Sequence, residues 1–292
     1  MEDKHVTARE TSGPAARRPA LINTVFELGF PLQAISLWLR AISYPWPRVQ
    51  ERDAKVALLI PGFMAGDSSL APLANFLRWL GHRAVYAGIW SNSRCPRETL
   101  EGLGERLTAV SAERRQRLVI IGQSLGGTYA RALSARFPDC VERVITLGAP
   151  IRYPRDSVTL AVDRAVHMMA TLRRLGDGCF TESCPCGASL LERNAGDVPT
   201  TVIYSRTDGI VHWQSCIDRS GSPLVDNVEV MTSHIGMGLN VDVYRQIAHR
   251  LTLPRREGQV PPRIGTSPAA SKARTPVSNV LSFPSQASRP AQ

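Results

Sequence analysis

The chain has 292 residues, of which 43% are hydrophobic, and this is enough apolar material for one sizeable core. Its formal net charge of +10 is distributed unevenly along the chain. Residues 1–20 carry +1, residues 254–292 carry +5, and the residues between them carry +4. That middle part has no basic stripe with interleaved aromatic residues, which argues against a nucleic-acid-binding protein.

Residues 1–20 are polar and are predicted to be a disordered N-terminal tail. They contain no apolar stretch typical of a secretory signal peptide. We therefore expect a cytoplasmic protein whose six cysteines are reduced.

Residues 21–54 form an apolar segment that is predicted to be helical. Polar residues and proline interrupt it too often for a membrane span, at Glu27, Pro31, Gln33 and Arg40. We favour a helix packed on the folded domain. The alternative is a weak peripheral membrane contact through residues 21–46, with Trp38 and Trp46 at the lipid interface, which the basic tail would assist.

Between residues 55 and 253, strand-like and helical segments alternate, which predicts an α/β fold with a mostly parallel central sheet flanked by helices. The predicted strands are short apolar runs, at Val56–Ile60, Ala84–Ala87, Leu118–Ile121, Arg143–Leu147, Thr201–Tyr204 and Val228–Met231. The predicted helices before the insertion lie at Leu70–Gly81, Thr99–Arg114 and Thr128–Phe137.

Residues 151–198 are too many for a simple crossover and are predicted to be an insertion. Its amphipathic part, Val158–Leu175, is interpreted as a lid over the site, with a helix that merely covers the sheet as the alternative. A cysteine cluster follows at Cys179, Cys184 and Cys186, but no fourth zinc ligand stands at the usual spacing. We favour reduced thiols in a loop, with a local disulfide as the alternative.

Residues 254–292 hold seven of the 21 prolines and six serines, without any period. This composition predicts a disordered basic tail.

The strand predicted at Leu118–Ile121 runs into Gly122-Gln123-Ser124-Leu125-Gly126, a G-x-S-x-G pattern followed by a predicted helix. A strand, a sharp turn and a helix in this order are typical of a nucleophile elbow. Small residues two positions before and after the serine allow the strand and the helix to approach closely. Ser124 is therefore the candidate nucleophile.

A serine hydroxyl needs a base to accept its proton and an acid group to orient that base. Asp208 and His234 each follow a late predicted strand, which places both at the carboxyl edge of the sheet. His212 is the main alternative base, but it precedes the last predicted strand. Asp226 is the weaker acid candidate because it precedes a strand in this prediction.

An oxyanion hole needs two backbone N–H groups aimed at the developing negative charge. We expect them from Leu125, which follows the nucleophile, and from Phe63, in the Pro-Gly loop after the first strand. Candidates for an apolar substrate pocket flank these loops, although each also suits core packing: Met64, Trp90, Trp213 and Met237.

These segments together resemble the α/β-hydrolase superfamily, and within it bacterial lipase/esterase-like serine hydrolases. The matching segments run in the family's order from about residue 55 to 250: IPGFM at 60–64, IGQSLGG at 121–127, ITLGAP at 145–150, YSRTDGIV at 204–211 and SHIGMGLN at 233–240. The resemblance implies a Ser124–Asp208–His234 triad with an oxyanion hole at Phe63 and Leu125. The chain departs from the secreted lipases in its lack of a predicted signal peptide, and it lacks the HGGG loop of another lipase branch.

The expected activity is hydrolysis of small-molecule or lipid carboxylic esters through an acyl-enzyme, with no metal and no organic cofactor. The same triad would also serve an acyltransferase, a thioesterase or an amidase, and a non-catalytic binding protein of hydrolase fold is a further alternative. The sequence leaves the acyl chain length, the alcohol portion and the oligomeric state open.

Overall fold

The computed structural model describes residues 48–151 and 198–253, together with residues 19, 23, 27, 46, 158, 159, 163–165 and 168. All of them belong to one compact unit, Met1–Pro261. The predictions of disordered tails and of a cysteine-containing lid fall almost wholly outside the described residues, and they stay predictions.

A six-stranded parallel sheet in the order β2-β1-β3-β4-β5-β6 forms the centre of the described part. Because all strands are parallel, their carboxyl ends lie along one edge of the sheet, where the loops that follow them gather. The strands are β1 Val56–Ile60, β2 Arg83–Tyr86, β3 Leu118–Gln123, β4 Val141–Leu147, β5 Thr200–Tyr204 and β6 Val225–Glu229.

Helices of the described part cover both faces of this sheet. The residues of β1 alternate between the faces: Val56, Leu58 and Ile60 pack in one apolar cluster, and Ala57 and Leu59 pack in the other. The first cluster includes α2 Pro96–Arg114 and α3 Leu125–Arg136, and the second includes α1 Ala71–Leu80 and α5 Val241–Thr252. A short helix, α4 Trp213–Cys216, follows β5, and 3-10 turns lie at Glu51–Asp53, Asp67–Leu70, Pro138–Cys140 and Ile235–Leu239. Burial on both faces explains why β1 is a continuous apolar run. The predicted α/β class is confirmed.

The prediction for the last strand is wrong in its position. The structure places β6 at Val225–Glu229, three residues before the predicted start, because this edge strand is only half buried and carries polar residues. Asp226 consequently lies inside a strand, where its carboxylate pairs with Arg250 of α5. Helix α3 also begins earlier than predicted, at Leu125, directly after the candidate nucleophile.

Trp46 bears on the two alternatives for the N-terminal segment, packing on the domain or contact with a membrane. It is 8% exposed and packs edge-on against Phe76 of α1, with ring centroids 4.9 Å apart. This packing favours a segment held on the domain over insertion of Trp46 into lipid, whereas Trp38 lies outside the described residues. None of the helices described here combines the length and the apolar character that a membrane crossing requires.

Close backbone packing joins β3 to α3 and β1. A Cβ atom added at Gly122 would lie 2.2 Å from the Gly126 carbonyl oxygen, and one added at Gly126 would lie 2.2 Å from the Ile60 carbonyl oxygen. Both distances are impossible for a real carbon, so only glycine lets these three elements meet.

We expect Gly122→Ala to lower the free energy of unfolding by about 3 kcal/mol, since backbone must move to admit the methyl group. Gly102→Ala is the matched control, because a Cβ there meets nothing within 4 Å on the exposed side of α2. It should raise the free energy of unfolding by about 0.5–1 kcal/mol through helix propensity. Urea denaturation measures both, and equal effects of the two substitutions would contradict the packing constraint.

Candidate active site

Ser124 lies in the turn between β3 and α3, with φ 51° and ψ −124°. A positive φ is costly for a residue with a side chain, so the surrounding packing holds the serine in this conformation. The Ser124 N–H donates to the Leu147 carbonyl at the end of β4, 2.8 Å away. The predicted nucleophile therefore sits half-buried at the carboxyl edge of the sheet, against β4.

The loop after β1 contacts the serine directly. A Cβ added at Gly62 would lie 3.2 Å from Ser124 Cβ and 3.9 Å from Ser124 Oγ. Phe63, which follows Gly62, packs its ring against the apolar cluster of α2 and α3. Leu125 is the first residue of α3, where N–H groups lack acceptors within the helix and the positive end of the helix dipole lies. Both predicted oxyanion donors thus belong to residues that adjoin the contact between loop and nucleophile.

Asn92 fixes the shape of this loop, a role that no pattern in the sequence indicated. Its side-chain Nδ2 donates to the Pro61 carbonyl at 2.8 Å, and its backbone exchanges hydrogen bonds with Met64 and Ala65 at 2.9 and 2.8 Å. Met64 has a φ of 60°, so the loop turns sharply just after Phe63. The Asn92 side chain is 1% exposed.

Asp208 and His234 form a buried hydrogen bond, with 2.6 Å between Oδ2 and Nδ1. The two residues are 2% and 5% exposed. The other carboxylate oxygen, Oδ1, accepts the backbone N–H groups of Ile210 and Val211 at 2.9 and 2.7 Å. These bonds fix the Asp208 carboxylate, and the carboxylate fixes the plane and tautomer of the imidazole, leaving Nε2 as the nitrogen that can accept a proton.

Opposing effects set the pKa of His234. Burial alone would lower it, but the charge of Asp208, its hydrogen bond and the nearby carboxylate of Glu27 outweigh burial. The pKa of His234 is therefore raised above its ordinary value of 6.5.

Gly148 brings the acid–base pair to the end of β4. Its φ is 58°, and an added Cβ would lie 3.0 Å from His234 Nδ1 and 3.1 Å from Asp208 Oδ2. Since the preceding Leu147 carbonyl holds the Ser124 N–H, one short stretch of backbone adjoins the nucleophile on one side and the pair on the other.

Gln123 provides a second link between these groups. Its Nε2 donates to the backbone carbonyl of His234 at 3.1 Å, so the residue beside the nucleophile holds the loop of the base. This side chain stands in the variable position of the G-x-S-x-G pattern, which carries no expectation about its contacts.

The competing candidates lie elsewhere. His212 precedes α4 and stacks on Trp213, with ring centroids 6.0 Å apart. Asp226 pairs with Arg250, as described above. The described contacts thus join Asp208 to His234, the arrangement that the sequence predicted for acid and base, while their catalytic roles stay a prediction.

The four predicted pocket residues differ in their surroundings. Met64 is 47% exposed and Trp90 is 96% exposed. Trp213 is half-buried, with Arg206 over its ring at 4.7 Å and Tyr204 stacked beside it at 6.1 Å. Met237 is fully buried in the cluster of α1 and α5. The roles of all four in a substrate pocket stay predictions.

The described residues contain no cluster of three or more histidine, cysteine, aspartate or glutamate side chains that could hold a metal ion. Three cysteines that the structure describes, Cys95, Cys140 and Cys216, are free thiols.

Comparison with solved structures identifies the architecture. The chain is similar to Aspergillus fumigatus lipase B, with a TM-score of 0.51 and 16% identity over 70% of this chain, and it spans about half, 54%, of that protein. It is also similar to a lipase-esterase related protein from Clostridium acetobutylicum ATCC 824, with a TM-score of 0.50 and 12% identity over 70% of this chain and 96% of the other. No protein-family model and no curated protein matches the sequence. The chain has the α/β-hydrolase fold.

We expect Asn92→Ala to lower the free energy of unfolding by about 1–3 kcal/mol, since the buried Pro61 carbonyl loses its donor. Ser91→Ala, on the same loop, is the matched control. Its hydroxyl makes a 3.1 Å bond to Ser93 Oγ and only a 3.5 Å contact with Met64, so its change should stay within about 0.5 kcal/mol. Equal denaturation midpoints for the two variants would show that Asn92 does not hold the loop.

Proposed function

We propose that this chain of α/β-hydrolase fold is a serine hydrolase that cleaves carboxylic esters through an acyl-enzyme on Ser124. The observation that carries the proposal is the buried 2.6 Å bond between Asp208 and His234, at the strand end that also holds the Ser124 N–H. The conformation of Ser124 adds support. A glycine would adopt this positive φ at little cost, so a serine at the position points to a need for its hydroxyl.

In the first step, the Ser124 hydroxyl attacks the ester carbonyl while Nε2 of His234 takes its proton. Asp208 keeps its own charge and stabilises the imidazolium that forms. The tetrahedral intermediate then collapses, and the imidazolium returns the proton to the departing alcohol. The products of this step are the alcohol and an ester of Ser124.

Negative charge develops on the former carbonyl oxygen during this attack. The backbone N–H groups of Phe63 and Leu125 donate to it, and the positive end of α3 adds a favourable field. Removing one donor of this kind typically costs a hundredfold to a thousandfold in rate, which is about 3–4 kcal/mol.

Water completes the cycle. His234 removes a proton from a water molecule as the water attacks the acyl group. The imidazolium then returns this proton to the leaving Ser124 oxygen, which releases the acid and restores the Ser124 hydroxyl. Small-molecule and lipid esters are both proposed substrates.

The direct test is hydrolysis of p-nitrophenyl esters from acetate to palmitate by the full-length chain. We expect Ser124→Ala and His234→Ala to fold normally and to lose activity by about three to six orders of magnitude. The preferred chain length distinguishes an esterase from a lipase.

His212→Ala is the matched control, since this histidine also lies near the end of β5 but stacks on Trp213. It should retain activity within a fewfold of the wild type. Inactivation by His212→Ala with an active His234→Ala would overturn the assigned base. Failure of a fluorophosphonate probe to label Ser124 would favour a non-catalytic protein.

A pH profile tests the acid–base pair. Only the neutral imidazole accepts a proton, so kcat/KM should rise with pH through the pKa of His234, at a midpoint above 6.5. Asp208→Asn removes the Asp208 charge, the largest effect that raises this pKa, so the midpoint should fall while the maximal rate drops by about 10⁴. A pH-stat assay on an ester of a non-ionising alcohol avoids the ionisation of nitrophenol in this pH range. An unmoved midpoint would contradict the pairing.

A further inference from the structure

We propose that Glu27 is a positioning residue whose carboxylate joins the acid loop, residues 205–211, to the base loop, residues 232–240, and so holds His234 against Asp208. This inference deepens the proposed function and rests on it. It concerns a residue that stands nearly 180 positions before the nearest loop it contacts, so no sequence motif points to it.

Three backbone N–H groups donate to the Glu27 carboxylate. Oε1 accepts from His234 at 2.7 Å and from Gly209 at 2.9 Å, and Oε2 accepts from Ile235 at 3.0 Å. His234 is the candidate base, and Gly209 directly follows the candidate acid. One carboxylate oxygen thus bridges the backbone of the base and the backbone beside its partner.

Asn23 extends this contact on the acid loop. Its Nδ2 donates to the Arg206 carbonyl at 3.0 Å and makes a longer, 3.5 Å contact with the Asp208 carbonyl. Asn23 therefore binds carbonyl groups of the acid loop while Glu27 binds an N–H of the same loop. The two side chains, four positions apart in the chain, thus bind both acceptors and a donor of the same backbone segment.

Two sets of contacts join the acid and base loops, which follow different strands, β5 and β6. Near the strand ends, the Ser205 and Thr207 hydroxyls donate to the Thr232 carbonyl at 2.7 and 3.0 Å. Glu27 joins the loops farther along, at the residues that carry and adjoin the Asp208–His234 bond. Hydrogen bonds to a charged acceptor are stronger than those between neutral groups, and the three to Glu27 act on backbone, which cannot rotate away. Both backbone groups of His234 are therefore held by side chains: Glu27 accepts from its N–H, and Gln123 donates to its carbonyl.

Glu27 also acts on His234 through its charge. The described groups that raise the pKa of His234 are Asp208 from the acid loop and Glu27 from the N-terminal segment. The Cys216 thiol of α4 lies near Asp208, and burial together with that carboxylate raises its pKa well above the ordinary value, so it stays neutral. Loss of the Glu27 charge therefore has a defined sign: the pKa of His234 falls.

Glu27→Gln is the first test, because it keeps the length of the side chain but removes the charge and one acceptor. We expect kcat for ester hydrolysis to fall about tenfold with KM nearly unchanged, since Glu27 supports the base. We also expect the acid limb of the kcat/KM profile to move to lower pH. Glu101→Gln, on the exposed side of α2, removes the same charge away from these loops and should change neither quantity.

Glu27→Asp separates the effect of side-chain length from the effect of the carboxylate charge. The shorter side chain keeps the carboxylate but cannot span both loops, so kcat should fall while the acid limb moves less than in Glu27→Gln. Circular dichroism establishes that each variant is folded. If Glu27→Gln does not fold, Glu27→Asp carries the test, and a wild-type kcat in that variant overturns the proposal.

NMR titration of the His234 ring protons, assigned with His234→Ala, supplies a readout that needs no substrate. A lower pKa of His234 in Glu27→Gln than in Glu101→Gln supports the proposal, and an unchanged pKa together with unchanged kcat overturns it. If the wild type hydrolyses no ester, the proposed function fails. The titration then decides on Glu27 alone: a lowered pKa supports its contact with His234, and an unchanged pKa overturns it.

Discussion

The candidate site depends on how closely the backbones of β1, β3 and α3 approach one another. Gly122 and Gly126 make this approach possible, because any side chain at either position would overlap with backbone atoms. The short turn between them forces Ser124 to a positive φ and places the start of α3 directly behind it. The same approach brings Gly62 against Ser124, so the nucleophile, the adjoining loop and the helix dipole follow from one steric constraint.

The parallel direction of all six strands places the remaining parts of the candidate site. Loops after β1, β3, β4, β5 and β6 emerge at the same edge, and β4 lies between the nucleophile and the acid–base pair. Its last residues connect the two, through the Leu147 carbonyl to Ser124 and through Gly148 to His234 and Asp208. Residues remote in sequence, Glu27 and Asn92, then hold individual loops in place. The candidate site is a set of loops fixed against one strand end.

Sequence patterns predicted the fold class and the four interior strands because buried strands are apolar runs that need no tertiary information. The edge strand β2 was predicted to within one residue because it still carries the apolar run Ala84-Val85-Tyr86. The sixth was misplaced, since an edge strand with Asp226 and Asn227 lacks that signal. Ser124, Asp208 and His234 were selected as candidates because each lies within four residues of the end of a predicted strand. The structure joins the last two by a hydrogen bond, and the catalytic roles stay predictions. Glu27, Asn92 and Gln123 were missed, because their contacts join segments between 31 and more than 200 positions apart and leave no local pattern.

The order of the strands also bears on how the molecule folds. Strand β4 pairs with β5 across a connection of roughly fifty residues. The entropic free-energy cost of bringing the ends of such a connection together is about 1.4 kcal/mol higher than for ten residues. Parallel pairing is non-local at every step, so the chain has a high contact order and is expected to fold slowly. Because Asp208 and His234 follow the last two strands, the newly synthesised chain can form the bond between them only after residues 200–240 have left the ribosome. During that interval the apolar faces of β1 and β3 lack part of their cover, which makes this the stage most exposed to aggregation.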